Sequence, residues 1–197
     1  MDVSDLARLS LYHYEINNKP TNKHKKEIEK MFDGYKISPS SDYNVLGIYN
    51  DNKKDLVINH RGSKTAMNWT VTDPLAMMGR QDFSSEHNRR RKHTKQLIRD
   101  HDAKHITLTG HSLGSHTVLE ALHKSPSLAK HVDKVHIFNG LSPAKYAKDP
   151  ELHKKIQIHR HHNDVVSILK QPYKTKVYGE GEMLDPLEAH HLKHFIN

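Results

Sequence analysis

Residues 106–114 read Ile-Thr-Leu-Thr-Gly-His-Ser-Leu-Gly, and they constrain the chain more than any other stretch. Apolar and polar residues alternate up to Thr109, as in a half-buried strand. Gly110-His111-Ser112-Leu113-Gly114 then interrupts the alternation, and a helix-compatible run follows over 115–124. A serine on so tight a strand-to-helix turn is pushed out of the backbone with its hydroxyl exposed. The flanking glycines are needed because side chains would clash there. A bare G-x-S-x-G arises by chance in roughly one chain in fifteen of this length. The surrounding sequence therefore has to decide.

That sequence supplies strands separated by helices. Leu6, Leu9, Tyr12 and Ile16 are spaced for an amphipathic first helix. Residues 21–32 are charged and helix-compatible, and read as a solvated surface segment. Strands are expected at 43–49 and 55–59, joined by the polar turn 50–53, then at 105–109, 134–138 and 155–159. Helices are expected over 84–100, a strongly basic stretch, and over 187–196 at the end. This order predicts an α/β fold, a mainly parallel central sheet flanked by helices, in a single domain over 1–197.

Composition excludes several classes. The chain has no cysteine, so disulfides and thiolate metal sites are ruled out. No apolar run reaches the length of a membrane span. The acidic start Met1-Asp2-Val3-Ser4-Asp5 lacks the basic and apolar regions of a signal peptide, so an intracellular setting is the default expectation. The formal charge is +8 before counting 19 histidines, which favours anionic partners such as a phospholipid surface or nucleic acid. Two histidine clusters, His159/His161/His162 and His190/His191/His194, lack the H-E-x-x-H arrangement that places two ligands beside a base. No metal or other cofactor is expected.

A serine hydroxyl needs a base to take its proton, an acid to orient that base, and donors for the oxyanion. Asp164 follows the 155–159 strand closely enough to lie at the same sheet edge as Ser112. The alternative reading of Asp164 is a helix cap or Asx-turn. Histidines follow at the end of the chain, in the order Ser, Asp, His. Candidate oxyanion donors are the backbone N–H of Leu113 and that of Ser63, in the turn His60-Arg61-Gly62-Ser63 after the 55–59 strand.

Arg61-Gly62-Ser63, Asn68-Trp69, Asp73, the 110–114 elbow, Asn163-Asp164-Val165 and a terminal histidine together resemble the class 3 lipase family of α/β-hydrolases. The resemblance covers about 43–196. It implies a Ser-Asp-His triad, no cofactor, and hydrolysis of acylglycerol or related lipid esters. Residue by residue it implies Ser112 as nucleophile, Asp164 as acid and Ser63 as the oxyanion residue. A family end of the form H-x-L-x-x-aromatic matches His190, with Leu192 and Phe195. The form H-L-x-x-aromatic matches His191 instead, and His194 is a third candidate. His190 is preferred and His191 is the runner-up. Residues 66–78 match a segment that forms a lid in fungal members, and Met67, Trp69, Met77 and Met78 become candidates for lid or substrate contact. Ser115 departs from a glycine that the family commonly has after the elbow, and Ser167 from a proline frequent after the acid. The alternative to an ester hydrolase is a catalytically silent hydrolase fold serving as a basic structural module on nucleic acid or an anionic surface. The Arg89-Arg90-Arg91-Lys92 run favours that reading.

Overall fold

The computed structural model describes residues 1–62, 84–140, 149–164, 173–179 and 186–196. Among the described residues, seven strands form one sheet in simple sequential order. β1 (Lys36–Ile37), β2 (Val45–Asn50) and β3 (Asp55–His60) are antiparallel neighbours. From β3 onward the pairing is parallel, through β4 (His105–His111), β5 (Lys134–Phe138), β6 (Ile156–His161) and β7 (Lys174–Tyr178). The mainly parallel α/β sheet expected from the sequence is present.

Successive side chains along a strand point to opposite faces, and the two faces are packed differently. Leu56, Ile58, Ile106, Leu108, Val135 and Ile137 share one core with Leu97 of α3 (Ser84–Asp100) and with Val118, Leu119 and Leu122 of α4 (Leu113–His123). The short helices α5 (Pro126–His131) and α6 (Pro150–Lys155) add Leu128 and Leu152 to it. On the other face Leu46, Ile48, Val57 and Phe138 pack against α1 (Val3–Tyr12) and α2 (Asn22–Met31). That second layer also holds polar groups. Asn59, fully buried on β3, accepts from Ser10 Oγ at 2.7 Å and donates to His13 Nδ1 at 2.7 Å.

Three expectations change. Residues 21–32 are not a wholly solvated segment, because Ile28 and Phe32 are buried in the second core. The 155–159 strand runs instead over Ile156–His161, and Lys155 closes α6 with its ammonium on the carbonyls of Ala129 and Val132. The expected helix over 187–196 is broken in two: α7 (Pro186–Ala189) and a 3-10 turn, Leu192–Phe195. The break has a cause. The carbonyl of Ala189 accepts from Asn139 Nδ2 at 3.0 Å, and that of His190 accepts from His111 Nε2 at 3.0 Å, so neither is left for a continuing helix. The turn then lets Leu192 and Phe195 enter the second core.

Candidate active site

The elbow makes the tight strand-to-helix turn its sequence predicts, but Ser112 is buried at 7% exposure where an exposed hydroxyl was expected. Ser112 adopts φ 53° and ψ −124°, a conformation that non-glycine residues hold only where the surroundings impose it. Its N–H donates to the carbonyl of Phe138 at 3.1 Å, and its carbonyl accepts from Ser115 N–H at 3.0 Å. The glycines are required by close approach. A Cβ on Gly114 would lie 2.1 Å from the carbonyl oxygen of His60, and one on Gly110 would lie 2.8 Å from the Gly114 carbonyl. Ser115 donates to the Gly110 carbonyl at 3.1 Å, and its Oγ occupies the space a Cβ on Gly140 would need. The departure at Ser115 is thus matched by a glycine on the next strand's loop.

Parallel pairing aligns the carboxyl ends of β4, β5 and β6, with His111 opposite Phe138 and Phe138 opposite His159. Asp164 sits three residues beyond β6, fully buried, with its N–H on the His161 carbonyl at 3.1 Å. His190 donates from Nδ1 to Asp164 Oδ1 at 2.7 Å. Both side chains are almost entirely excluded from water, so the pair is little screened. Asn139, at φ 42°, joins the parts. Its Oδ1 accepts from His161 N–H at 2.9 Å while its Nδ2 holds the Ala189 carbonyl. One side chain therefore ties the end of β6 to the residue before His190.

A second chain of hydrogen bonds reaches His190 from the opposite side. His111 Nε2 donates to the His190 carbonyl, which leaves Nδ1 to accept from Tyr14 Oη at 2.8 Å. The tyrosine oxygen in turn accepts from Gly62 N–H at 3.1 Å. This polarity requires a neutral imidazole. Burial, and then the adjacent His190, push the His111 pKa well below its usual value. Gly62 lies against the elbow, since a Cβ there would approach Ser112 Cβ to 3.2 Å and the His111 carbonyl oxygen to 2.8 Å. The residue before it is clamped as well. Arg90 of α3, only 4% exposed, donates from Nη1 to the Arg61 carbonyl at 2.5 Å and from Nη2 to Asn44 Oδ1 at 3.1 Å. Arg61 itself donates from Nη1 to the Ile16 carbonyl at 2.9 Å, with its guanidinium over the rings of Tyr14 and Tyr43.

The candidates named from sequence now fall into groups. Asp164 and His190 are in direct contact. Leu113 is the first residue of α4, where a backbone N–H has no intrahelical partner to lose. His191 is half-exposed with its N–H on the Glu188 carbonyl, and His194 Nε2 donates to the same carbonyl at 3.0 Å. Ser63, Met67, Trp69, Met77 and Met78 lie outside the described residues. Asn139, Tyr14, His111 and Arg90 were not among the candidates. Asn139 carried a signal, an Asn-Gly pair closing a strand, whereas Tyr14 had no local mark at all. A groove of about 710 Å³ opens at the far edge of the sheet, among Asp55, His105, Asp133 and Lys174, and no candidate site residue lines it.

No protein-family model matches the chain, and no curated protein sequence matches it. Solved structures do. A deletion mutant of Rhizomucor miehei lipase in its propeptide complex is 13% identical, with a TM-score of 0.54 over 99% of this chain and 74% of that one. Lipase II from Rhizopus niveus is 17% identical, with a TM-score of 0.54 over 85% of this chain and 73% of that one. A triacylglycerol lipase described as having a serine-protease triad at its catalytic centre is 14% identical, with a TM-score of 0.55 over 89% and 77%. The fold is the α/β-hydrolase-like fold of fungal class 3 lipases.

Proposed function

We propose that this chain, with the fold of a fungal lipase, is a serine ester hydrolase that cleaves acylglycerol or related lipid esters. The observation that carries the reading is the buried His190–Asp164 pair at 2.7 Å, tied through the His190 carbonyl to His111, the residue before a strained Ser112 on a glycine-flanked elbow. With Nδ1–H committed to the carboxylate, the lone pair of a neutral His190 ring falls on Nε2, the tautomer a general base requires. Ser112 Oγ attacks the ester carbonyl carbon as its proton passes to His190 Nε2. The carbonyl oxygen becomes an oxyanion, held by the N–H groups of Leu113 and Ser63. The imidazolium returns the proton to the alkoxide leaving group, and an acyl-serine remains. Water, deprotonated by the same nitrogen, attacks the acyl-serine and releases the fatty acid and free Ser112. Met67, Trp69, Met77 and Met78 are the acyl-contact candidates. The +8 charge adds a preference for esters presented on an anionic surface.

A fluorophosphonate probe tests the reading. Wild type is expected to label covalently, and Ser112→Ala to lose labelling and esterase activity while keeping its fold. Labelling that is equal in both proteins, or absent from both, would sink the hydrolase reading and favour the silent basic module. That module would be recognised by salt-sensitive binding to nucleic acid or anionic vesicles.

A further inference from the structure

We propose that His87, His116 and Glu120 form a zinc site that clamps α3 to α4. His87 lies about 30 positions before the other two in sequence but meets them in space. His116 and Glu120 are four residues apart, hence on one face of α4, and His87 sits in the first turn of the neighbouring α3. Among the described residues, this is the group of three whose ligating atoms converge, all within 4.8 Å of one another. The His87 and His116 rings are 5.1 Å apart and tilted by 45°. His87 Nδ1 touches Glu120 Oε2 directly. Around a tetrahedral zinc, bonds of about 2.0–2.1 Å put ligand atoms about 3.4 Å apart.

The chemistry of the set selects the ion. Two imidazoles and one carboxylate, with no thiolate, suit Zn²⁺ and leave a fourth position for water. Glu120 is already oriented for the role. Lys124 Nζ, from the residue that caps the end of α4, holds the other carboxylate oxygen, as outer partners of metal-bound carboxylates commonly do. His87 and Glu120 are each 7% exposed and His116 is half-buried, so the ion would be bound within the helix–helix contact and not on its surface. Location supplies a reason for a clamp. α4 begins at the Ser112 turn, and α3 carries Arg90, which holds the Arg61 carbonyl beside that turn. A metal joining the two helices would fix both walls of the candidate site from behind, whatever reaction occurs there.

The proposal is independent of the hydrolase reading, and its test reads metal, not turnover. Metal-stripped full-length protein is titrated with Zn²⁺ in competition with a chromogenic chelator. Wild type is expected to bind one tight equivalent and to gain thermal stability. Loss of an outer-sphere partner alone weakens metal sites about 10–100-fold. Glu120→Gln and His116→Ala should therefore each lose at least that much, while His105→Ala, at an exposed position, binds as wild type does. Absence of a tight equivalent in wild type overturns the site. So does its retention in both variants, which would assign uptake to the chain's other histidines. Zinc K-edge absorption on wild type keeps the question decidable if the variants fail to fold. Two imidazoles in an N/O shell support the site, and any other imidazole count overturns it.

Discussion

Ser112 holds a backbone conformation disfavoured for a residue with a Cβ, and it is held there by bonds at both ends, to Phe138 and Ser115. Strain of this kind persists where a structure over-determines it, and it is commonest at functional positions. The residue that would act on it is less obvious, because His190 and His191 are neighbours in the chain. Their surroundings differ. His190 is buried against Asp164 and its carbonyl is fixed by His111, whereas His191 is half-exposed. If His190 is the base, His190→Ala should lower esterase turnover by about 10⁴-fold or more. His191→Ala should stay near the wild-type rate. The reverse pattern would transfer the role to His191. The pattern at the end of the sequence favoured His190 over His191, with His194 third, but it held no physical difference between the two neighbours. What separates them is the break in the terminal helix, and that break is made by Asn139 and His111, side chains about 50 and 80 positions away.

At the scale of elements, the site depends on how closely β3, β4 and α4 approach. Gly114, in the first turn of α4, abuts the end of β3, and a methyl group there would sit 2.1 Å from the His60 carbonyl oxygen and 2.9 Å from the Arg61 carbonyl carbon. Those are backbone atoms, so no rotamer change relieves the overlap. Gly114→Ala is expected to cost about 3 kcal/mol or more, at the upper end of overpacking penalties. Urea unfolding would register it as a lower midpoint with an unchanged slope, and an unchanged midpoint would contradict the packing. The elements most legible in the sequence were those with strong local periodicity. The alternation through Ile106 and Leu108 marked β4, and Leu6 and Leu9 marked α1. The strand β1 is two residues long, and β7 reads Lys-Thr-Lys-Val-Tyr, so neither has an apolar pattern to detect. α3 read only as a strongly basic helix because its buried stripe is largely polar. His87, Arg90 and Thr94 face inward with Leu97, and each is satisfied by a partner distant in sequence, such as Arg61 for Arg90 and His60 for Thr94. Propensity carries no record of such partners.

Across the whole molecule the histidines make stability a function of pH. His13 and His159 are pushed down to about 3 and His136 to about 4, each chiefly by burial. Burial also drives His60 and His111 well below their usual value. Their bonding agrees with neutrality. His13 accepts at Nδ1 from Asn59 and donates from Nε2 to the Asp42 carbonyl at 3.2 Å, which leaves no place for an extra proton. In the unfolded chain these side chains titrate near 6.5, so below that pH the unfolded state binds more protons and stability falls as pH falls. The window runs from about 6.5 down towards the folded values of about 4 and 3. At pH 5 each such histidine would cost up to about 2 kcal/mol. Five together would rival a typical total stability of about 5–15 kcal/mol. His93 works in the other direction, since its hydrogen bond to Asp42 raises its pKa, so its contribution is full below 6.5 and fades above its raised value. It is one group against these five, and burial lowers His101 and His191 as well. Asp42, held down to about 2, loses its contribution only below about 4, outside most of the window. Urea unfolding between pH 7.5 and 5 should therefore show a midpoint that drops steeply with acid. Replacing His136, which is partly accessible and whose Nδ1 meets His159 Nε2 at 3.0 Å, with glutamine should flatten that drop by about one histidine's share. A midpoint that stays level across this range would show that the buried histidines take up protons without opening the fold.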